Sequence, residues 1–516
     1  MKLILVGVNA RFSHSNPALY SMYHYCKEQL EPALFAGANI EIKEFNINQQ
    51  AAEVAAELFR LKADVYAFSV YIWNALFVDQ VLERLAKLRP DALFFAGGPE
   101  VQFSAQEEYL RQPLWNYLVS GDGESELAAF LTTVAKGVSA AEYLAEAKAR
   151  QTSQLPCTGK AAGRANLDRL PFFYPARQNR FKNRFIYYES SRGCPYSCTY
   201  CVSSRESLPS FRSLELVFAE LDWFITNGYT LVKFLDRSFN FPSSRAQAIW
   251  GWLIERCQDL DAGAMPCFHF ELEASLLDEA SVALLERAPG GLFQFEIGIQ
   301  SIHRETLDNV KRKPLSEQAF TYLRQLLAAG KQHIHVDLIA GLPGETAAMF
   351  AESYNFCWGL WADMLQLGHL KLLRGTAMKS DAITRAYRFN SRPPYEVLVS
   401  DAMTGEELLE ADDVAEMTDH YYNTRILPAL LPQLPDWLGE TPYRLMARLS
   451  ELYRLRRGES LRSLAKEEYY LIMADFLEQT LQGEVLAKAK ALLVQDFDTV
   501  RKSGSLSWER IVQKYS

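Results

Sequence analysis

Short apolar runs alternate with amphipathic stretches along the first 145 residues. The runs are Leu3–Val8, Ile40–Phe45, Val65–Val70, Leu93–Ala96 and Trp115–Val119. Between them, apolar residues recur at helical spacing over about 17–31, 51–61, 74–88 and 104–111. Apolar strands separated by helices predict a parallel sheet covered on both faces. Residues 1–145 therefore read as an α/β domain of flavodoxin-like or Rossmann-like type, whose ligands sit at the carboxyl ends of its strands. The loops at those ends are Asn9–Pro17, Ser69–Asn74, Gly97-Gly98-Pro99-Glu100 and Gly121-Asp122-Gly123-Glu124. No G-x-G-x-x-G follows the first run, so a nicotinamide dinucleotide is not indicated.

Periodicity fades after about residue 137, and residues 146–183 read as a connector punctuated by Pro156, Gly159, Gly163, Pro171 and Pro175. Arg177, Arg180, Lys182 and Arg184 make its end basic. That end is either a solvated linker or a strap that meets a phosphate-bearing cofactor or an RNA. Residues 184–375 form a second α/β series. Its predicted strands are Phe185–Ser190, Thr230–Asp236, Cys267–Glu271, Phe293–Ile299, His335–Ala340 and Met364–His369. Helical patterns at about 214–227, 243–257, 277–287, 316–329 and 345–359 separate them. Six β/α units are too few to close an eight-stranded barrel, and predict an open, partial (β/α)6 barrel with its chemistry at the C-terminal mouth of the strands. Residues 376–516 read as a helical region, with stretches such as Leu461–Leu481, and show no metal or nucleotide motif.

Composition narrows the function classes. Of 516 residues, 49% are apolar and 23% charged, which is ordinary globular usage. The net charge of −9 argues against nucleic acid as a generic partner. The apolar start Met1–Val8 reads as a first buried strand rather than a signal peptide. Val65–Val78 falls short of the roughly 20 residues of a spanning helix. The expectation is a soluble cytoplasmic protein with no membrane partner. Eight cysteines are too sparse for a disulfide scaffold. Cys26, Cys157, Cys257, Cys267 and Cys357 are scattered, but three lie together.

The clustered segment is Ser191-Arg192-Gly193-Cys194-Pro195-Tyr196-Ser197-Cys198-Thr199-Tyr200-Cys201, directly after the first strand of the second series. Three soft thiolates on one loop suit an iron–sulfur cluster, zinc or copper(I). A structural zinc site wants a fourth protein ligand, and no nearby Cys or His supplies one. A four-iron cluster held by three cysteines keeps one iron open for a substrate or cofactor.

This C-x3-C-x2-C spacing, with Tyr200 before the last cysteine, resembles the signature of the radical S-adenosylmethionine superfamily. The resemblance implies a [4Fe-4S] cluster on Cys194, Cys198 and Cys201. The open iron would bind the amino and carboxylate groups of S-adenosylmethionine, and the reduced cluster would cleave it to a 5′-deoxyadenosyl radical. It also implies a low-potential electron donor such as flavodoxin or ferredoxin. Further positions fall on successive strand ends. Asp236, in Leu235-Asp236-Arg237-Ser238, stands where the family often has a Gly-Gly-Glu-like turn for the methionine amino group. Phe270-Glu271-Leu272-Glu273-Ala274 resembles the family's Glu-x-x-Pro element, with Glu271 toward the ribose and Glu273 as its same-face alternative. Gly298-Ile299-Gln300-Ser301 resembles Gly-x-Gln-Ser and implies that Gln300 meets the ribose or carboxylate. Arg312 resembles an arginine that pairs with the methionine carboxylate. The element from Asp337 to Gly344, Asp-Leu-Ile-Ala-Gly-Leu-Pro-Gly, resembles the stretch that flanks the adenine, with Asp337 among the cofactor contacts.

An α/β domain ahead of such a barrel resembles the cobalamin-dependent class, over about residues 1–375. Phe68–Asn74, the Gly97–Glu100 and Gly121–Glu124 loops, and Asn166-Leu167-Asp168-Arg169-Leu170-Pro171 carry that likeness. It implies cobalamin contacts at Asn9, Ser69, Gly97, Gly98, Gly121 and Glu124. The Asp-x-His-x-x-Gly loop of many cobalamin domains is missing, and His14 is the only histidine in the first loop. The leading expectation is cobalamin-dependent methylation of an unactivated carbon in a small-molecule or peptide substrate that the sequence does not name. Radical cyclisation or rearrangement without net methyl transfer is the second reading, and a non-enzymatic iron–sulfur and cobalamin-type sensor the third.

Overall fold

The computed structural model describes residues 1–103, 105–149, 157–160, 166–182, 184–205, 209–261, 263–458, 464–500 and 508. Pro156 and Gly163 of the connector, and the first residues of the stretch expected to be helical from Leu461, lie outside the described residues. The chain divides into two compact units. One comprises Met1–Glu271, Lys371–Asp381 and Asn390–Glu396; the other comprises Leu272–Leu370, Ala382–Phe389 and Val397–Ser516.

The first unit opens with a six-stranded parallel sheet of β1 (Leu3–Asn9), β2 (Ile40–Asn46), β3 (Val65–Ser69), β4 (Leu93–Gly97), β5 (Tyr117–Ser120) and β6 (Cys157–Lys160), in the order β2-β1-β3-β4-β5-β6. Every residue of β1 is buried, as a central strand covered on both faces requires. Alternate residues divide the core. Ile4, Val6, Val8, Phe68 and Phe94 pack with Val54, Leu58, Val78 and Leu82 of helices Ala51–Arg60 and Ala75–Leu88. Leu3, Leu5, Phe95 and Tyr117 pack with Leu19, Leu127 and Phe130 of helices Pro17–Gln29 and Gly123–Ala135. Each such fully buried Leu, Ile, Val or Phe contributes about 1.5–3 kcal/mol.

The strand β6 departs from the sequence expectation. It lies inside the stretch read as a connector, next to a helix at Ala140–Ala149. Its backbone pairs in parallel with β5, from Tyr117↔Cys157 to Ser120↔Lys160. Backbone hydrogen bonds to an existing strand hold it, so Cys-Thr-Gly-Lys needs no apolar alternation.

The same unit continues with β7 (Ile186–Tyr188), the short antiparallel pair β8 (Ser191–Arg192) and β9 (Ser210–Phe211), then β10 (Leu231–Phe234) and β11 (Cys267–Leu272). Strand β10 pairs in parallel with both β7 and β11. Phe234, Phe239 and Phe270 pack in one buried cluster with tilted rings, the Phe239 and Phe270 centroids 4.1 Å apart.

The second unit carries β12 (Phe293–Gln300), β13 (His333–Ala340) and β14 (Met364–His369), again parallel. Helix Glu317–Ala329 starts where the Ser316 side chain accepts the Ala319 N–H and stops at Gly330 with φ +61°. The C-terminal region is mainly helical, from Gly405–Met417 through Gly483–Val500. A short antiparallel pair, β15 (Arg388–Phe389) and β16 (Val397–Val399), precedes it where only helix was expected. The architecture is α/β with a helical C-terminal region. Among the described residues, no helix is long and apolar enough to cross a membrane.

Candidate active site

The cysteine loop is anchored before it begins. Asp236, buried after β10, accepts Ser190 N at 2.9 Å, Ser190 Oγ at 2.6 Å and Ser191 Oγ at 2.6 Å. Burial raises its pKa, and the serine hydrogen bonds oppose that rise. Three of a carboxylate's roughly four acceptor positions are thus spent on the loop. Gly193, at φ +105°, reverses the chain into Cys194. Cys201 N–H then donates to Cys198 O at 3.1 Å, and Met378 N–H donates to Thr199 O at 2.9 Å. Cys198 is buried, and Cys194 and Cys201 are partly exposed. Tyr200 occupies the same turn and is half-buried. Ser238 Oγ lies 3.6 Å from Cys194 Sγ. Glu271, near the end of β11, sits 3.5 Å from Arg237 and is partly exposed. The donor set of three cysteine sulfurs on a single loop fits a four-iron cluster with one iron left open.

A cavity of about 630 Å³ lies over the carboxyl ends of the N-terminal sheet. Asn9, Ser69, Gly97, Gly98, Gly121 and Glu124 all line it. Glu189, Arg192 and Gly193, at the start of the cysteine loop, form another part of its wall. It continues as an apolar slot among Leu5, Leu19, Met22, Phe95, Leu127 and Phe130. Gly98 has φ +104°, and a Cβ there would stand 2.6 Å from Val70 O. No side chain fits at that position, which keeps the floor of the cavity at backbone height. Asn9 Nδ2 donates to His14 O and Glu44 Oε1, so it shapes the first loop. Ser69 O accepts the Asn74 side-chain amide, which also donates to Val8 O at 2.9 Å. Burial raises the Glu124 pKa, but Arg192 and Ser21 outweigh it and the carboxyl titrates below the usual range. His14 lines the cavity with its Nδ1 2.5 Å from Tyr187 Oη. Burial, then Lys233 and Arg11, lower its pKa and favour the neutral ring.

The second unit brings its own strand ends into a strained arrangement. Gln300 closes β12 with φ +68°, after a register shift between Gly298 and Gln300. Such a left-handed non-glycine conformation costs about 1–3 kcal/mol and persists only where the surroundings enforce it. Arg312 helps enforce it: Nη2 donates to Gly298 O and lies 3.0 Å from Glu273. A Cβ on Gly298 would meet the Gln300 side-chain amide, which would have to shift to make room. Gln300 Oε1 is buried without a hydrogen-bond partner, an acceptor directed at nothing in the protein. Glu273, the alternative to Glu271, is thereby the buried partner of Arg312. Asp337 lies opposite Gly298 and Gln366, on the same half-buried face as His335.

Several residues in these networks escaped the sequence reading. Glu44, on β2, collects the Asn16 N–H, the Tyr20 hydroxyl and Arg184. Asn74 knots two cavity loops together, and Arg192 carries three carboxylates. Glu296 and His335 face each other in register on the polar side of β12 and β13. The alternation Phe-Gln-Phe-Glu-Ile-Gly-Ile-Gln could have flagged Glu296, since every second residue of β12 is buried. Nothing local marks Glu44, and of the partners of Arg192 only Glu189 is near in sequence while Asp122 and Glu124 lie far away.

A three-thiol loop at the end of the first strand of a parallel β/α series, following in sequence a doubly wound domain with a strand-end cavity, is the arrangement expected of a radical S-adenosylmethionine domain preceded by a cobalamin-type domain. Comparison with known proteins agrees. Residues 188–357 match the radical SAM superfamily, residues 31–131 match the B12 binding domain, and residues 386–512 match a family of unknown function, DUF4080. The chain therefore carries a radical SAM domain and a B12 binding domain. It is 25% identical over 307 residues to the cobalamin-dependent radical SAM methyltransferase TokK of Streptomyces tokunonensis, covering 57% of this chain and 44% of that one. It is 23% identical over 363 residues to 2-(S-pantetheinyl)-carbapenam-3-carboxylate methyltransferase of Streptantibioticus cattleyicolor, covering 68% and 52%. The chain thus spans about half the length of these curated relatives. The solved structure of the cobalamin-dependent S-adenosylmethionine radical enzyme OxsB with aqua-cobalamin bound superposes with TM-score 0.60 at 13% identity, covering 100% of this chain and 83% of that one, a likeness of fold.

Proposed function

We propose that this chain is a cobalamin-dependent radical S-adenosylmethionine methyltransferase that acts on an unactivated carbon. The observation that carries this reading is that the start of the cysteine loop forms part of the wall of the N-terminal cavity. One compact unit therefore offers a place for a cluster beside a place for a corrin.

Cys194, Cys198 and Cys201 would hold a [4Fe-4S] cluster, with Tyr200 packed in their turn. Glu271, Gln300, Arg312 and Asp337 would orient S-adenosylmethionine. Gln300 brings a buried acceptor without a partner in the protein, and Arg312 a guanidinium already held by Glu273. Asp236 would support the loop through Ser190 and Ser191 rather than touch the cofactor. Asn9, Ser69, Gly97, Gly98, Gly121 and Glu124 would line the corrin site, and the apolar slot beyond them suits a flat heteroaromatic group. When bound, the cluster with S-adenosylmethionine supplies radical hydrogen abstraction, and cobalamin supplies the methyl group. The chain's own part is to hold these groups, keep His14 neutral beside Tyr187, and exclude water from the slot.

The test is anaerobic. Reconstituted protein is loaded with hydroxocobalamin, stripped of unbound cofactor and examined by ultraviolet–visible spectroscopy. It is then reduced, and S-adenosylmethionine cleavage is followed by chromatography. Retained corrin together with 5′-deoxyadenosine and S-adenosylhomocysteine supports the reading. 5′-Deoxyadenosine without corrin retention overturns the cobalamin part and favours cyclisation or rearrangement. No cleavage at all favours a sensor.

A further inference from the structure

The loop Gly121-Asp122-Gly123-Glu124 ends a strand of the N-terminal sheet, and Ser191-Arg192-Gly193-Cys194 opens the cysteine loop. About 70 residues of chain separate them, yet one guanidinium joins them. Arg192 Nε and Nη2 grip Glu189 as a fork at 2.9 and 2.7 Å. Nη1 donates to Asp122 Oδ1 at 2.9 Å, and Nη2 reaches Glu124 Oε1 at 3.1 Å. Every nitrogen of the guanidinium is engaged. Glu124 is in turn fixed by Ser21 Oγ at 2.7 Å, from helix Pro17–Gln29. Both loops turn where they meet, at Gly121 and Gly193, whose φ values of +111° and +105° favour glycine. Asp122, Glu124, Glu189, Arg192 and Gly193 all line the cavity assigned above to the corrin.

We propose that Arg192 is a positioning residue that sets the cysteine loop against the wall of the corrin cavity, so that one side chain fixes both cofactor sites in mutual register. The inference rests on the functional reading above. Its physical basis is the geometry of the fork. Three carboxylates converge on one cation, and only a planar group with donors on three nitrogens can serve them together. An ammonium satisfies one or two of them as a point charge. Removing the cation leaves three carboxylates facing one another, and the two loops then separate.

The experiment compares wild type, Arg192→Gln, Arg192→Lys and Asp122→Asn as anaerobically reconstituted full-length proteins. Iron and sulfide content and circular dichroism establish that each folds and holds its cluster. Corrin affinity is read by titration with hydroxocobalamin. The environment of the reduced cluster is read by electron paramagnetic resonance, with and without S-adenosylmethionine. Arg192→Gln is expected to keep its iron but to bind corrin roughly tenfold more weakly, the usual scale for losing an outer partner of a ligand set. Arg192→Lys is expected to fall between the two. The diagnostic variant is Asp122→Asn, which lies outside the cysteine loop. It is expected to change the resonance spectrum of the reduced cluster in the same sense as Arg192→Gln, a readout that simple loosening of the N-terminal loop does not move. Unchanged corrin affinity in Arg192→Gln, or an unchanged cluster spectrum in Asp122→Asn, overturns the inference while wild type still binds both groups. A wild type that binds no corrin overturns the functional reading instead. If Arg192→Gln does not fold, the Asp122→Asn spectrum alone decides.

Discussion

Gln300 and Glu345 show how single residues store strain and protonation near the strand ends. Replacing Gln300 with glycine removes the penalty of φ +68° and is expected to stabilise the unit by about 1 kcal/mol. The same change deletes the buried acceptor, so S-adenosylmethionine binding should weaken as stability rises. Chemical denaturation and a binding titration on one protein check both signs. Glu345 is fully buried and accepts Ser301 Oγ at 2.6 Å. Burial pushes its pKa from 4.5 up to about 8, against the pull of Ser301 and Ser353. The folded state therefore holds this proton more tightly than the unfolded state. Its stabilising contribution is complete below the unfolded pKa of about 4.5 and is lost as pH rises through about 8. Glu345→Gln, which keeps the neutral shape, is expected to flatten the fall in thermal stability over that window. An unchanged pH profile would show that Glu345 is not the titrating group. Gln300 was legible from its motif, but its left-handed backbone was not, because the register shift that produces it depends on pairing with β13.

At the scale of elements, the strand-end loops carry the chemistry and the strands hold them still. Gly98→Ala places a Cβ against Val70 O at 2.6 Å in a backbone that disfavours it. The loss is expected to be about 1–3 kcal/mol in cofactor-free protein, with corrin retention falling alongside. Equilibrium unfolding and the corrin spectrum measure the two effects. Eleven of the strands in the two β/α series begin and end close to the apolar runs that predicted them, as in Val65–Ser69 and Met364–His369. The exception is β6. An edge strand made of Cys-Thr-Gly-Lys has no apolar code of its own, and only β5 recruits it. The short antiparallel pair of β15 and β16 was hidden for a similar reason, since a two-residue strand is too short to show a period.

At the scale of the molecule, chain order and compactness disagree. Residues Lys371–Asp381 and Asn390–Glu396 return to the unit built mainly from the first 271 residues. A buried polar knot holds them there. Arg374 Nη1 donates to Glu108 Oε2 at 2.6 Å, and Tyr395 Oη donates to Glu100 Oε2 at 2.6 Å. Met378 N–H meanwhile clasps Thr199 in the cysteine loop. Arg374→Ala is expected to destabilise the protein by somewhat less than the roughly 3–5 kcal/mol typical of breaking a buried pair, because Arg111 and Trp115 still hold Glu108. Thermal unfolding checks the size, and loss of iron during purification checks the link to the cysteine loop.

The sequence by itself determined the two parallel β/α series, the order of their strands along the chain, and the three thiols that end the first strand of the second series. Those features follow from periodicity and short-range spacing, which act over a few residues. The tertiary structure alone decided that Asp236 turns into the cysteine loop, that Glu273 pairs with Arg312, and that Arg192 is held by two loops at once. Each of these joins groups 39 to 70 residues apart in the chain. The energy of such a pair depends on burial and on the direction of the facing group, and folding sets both.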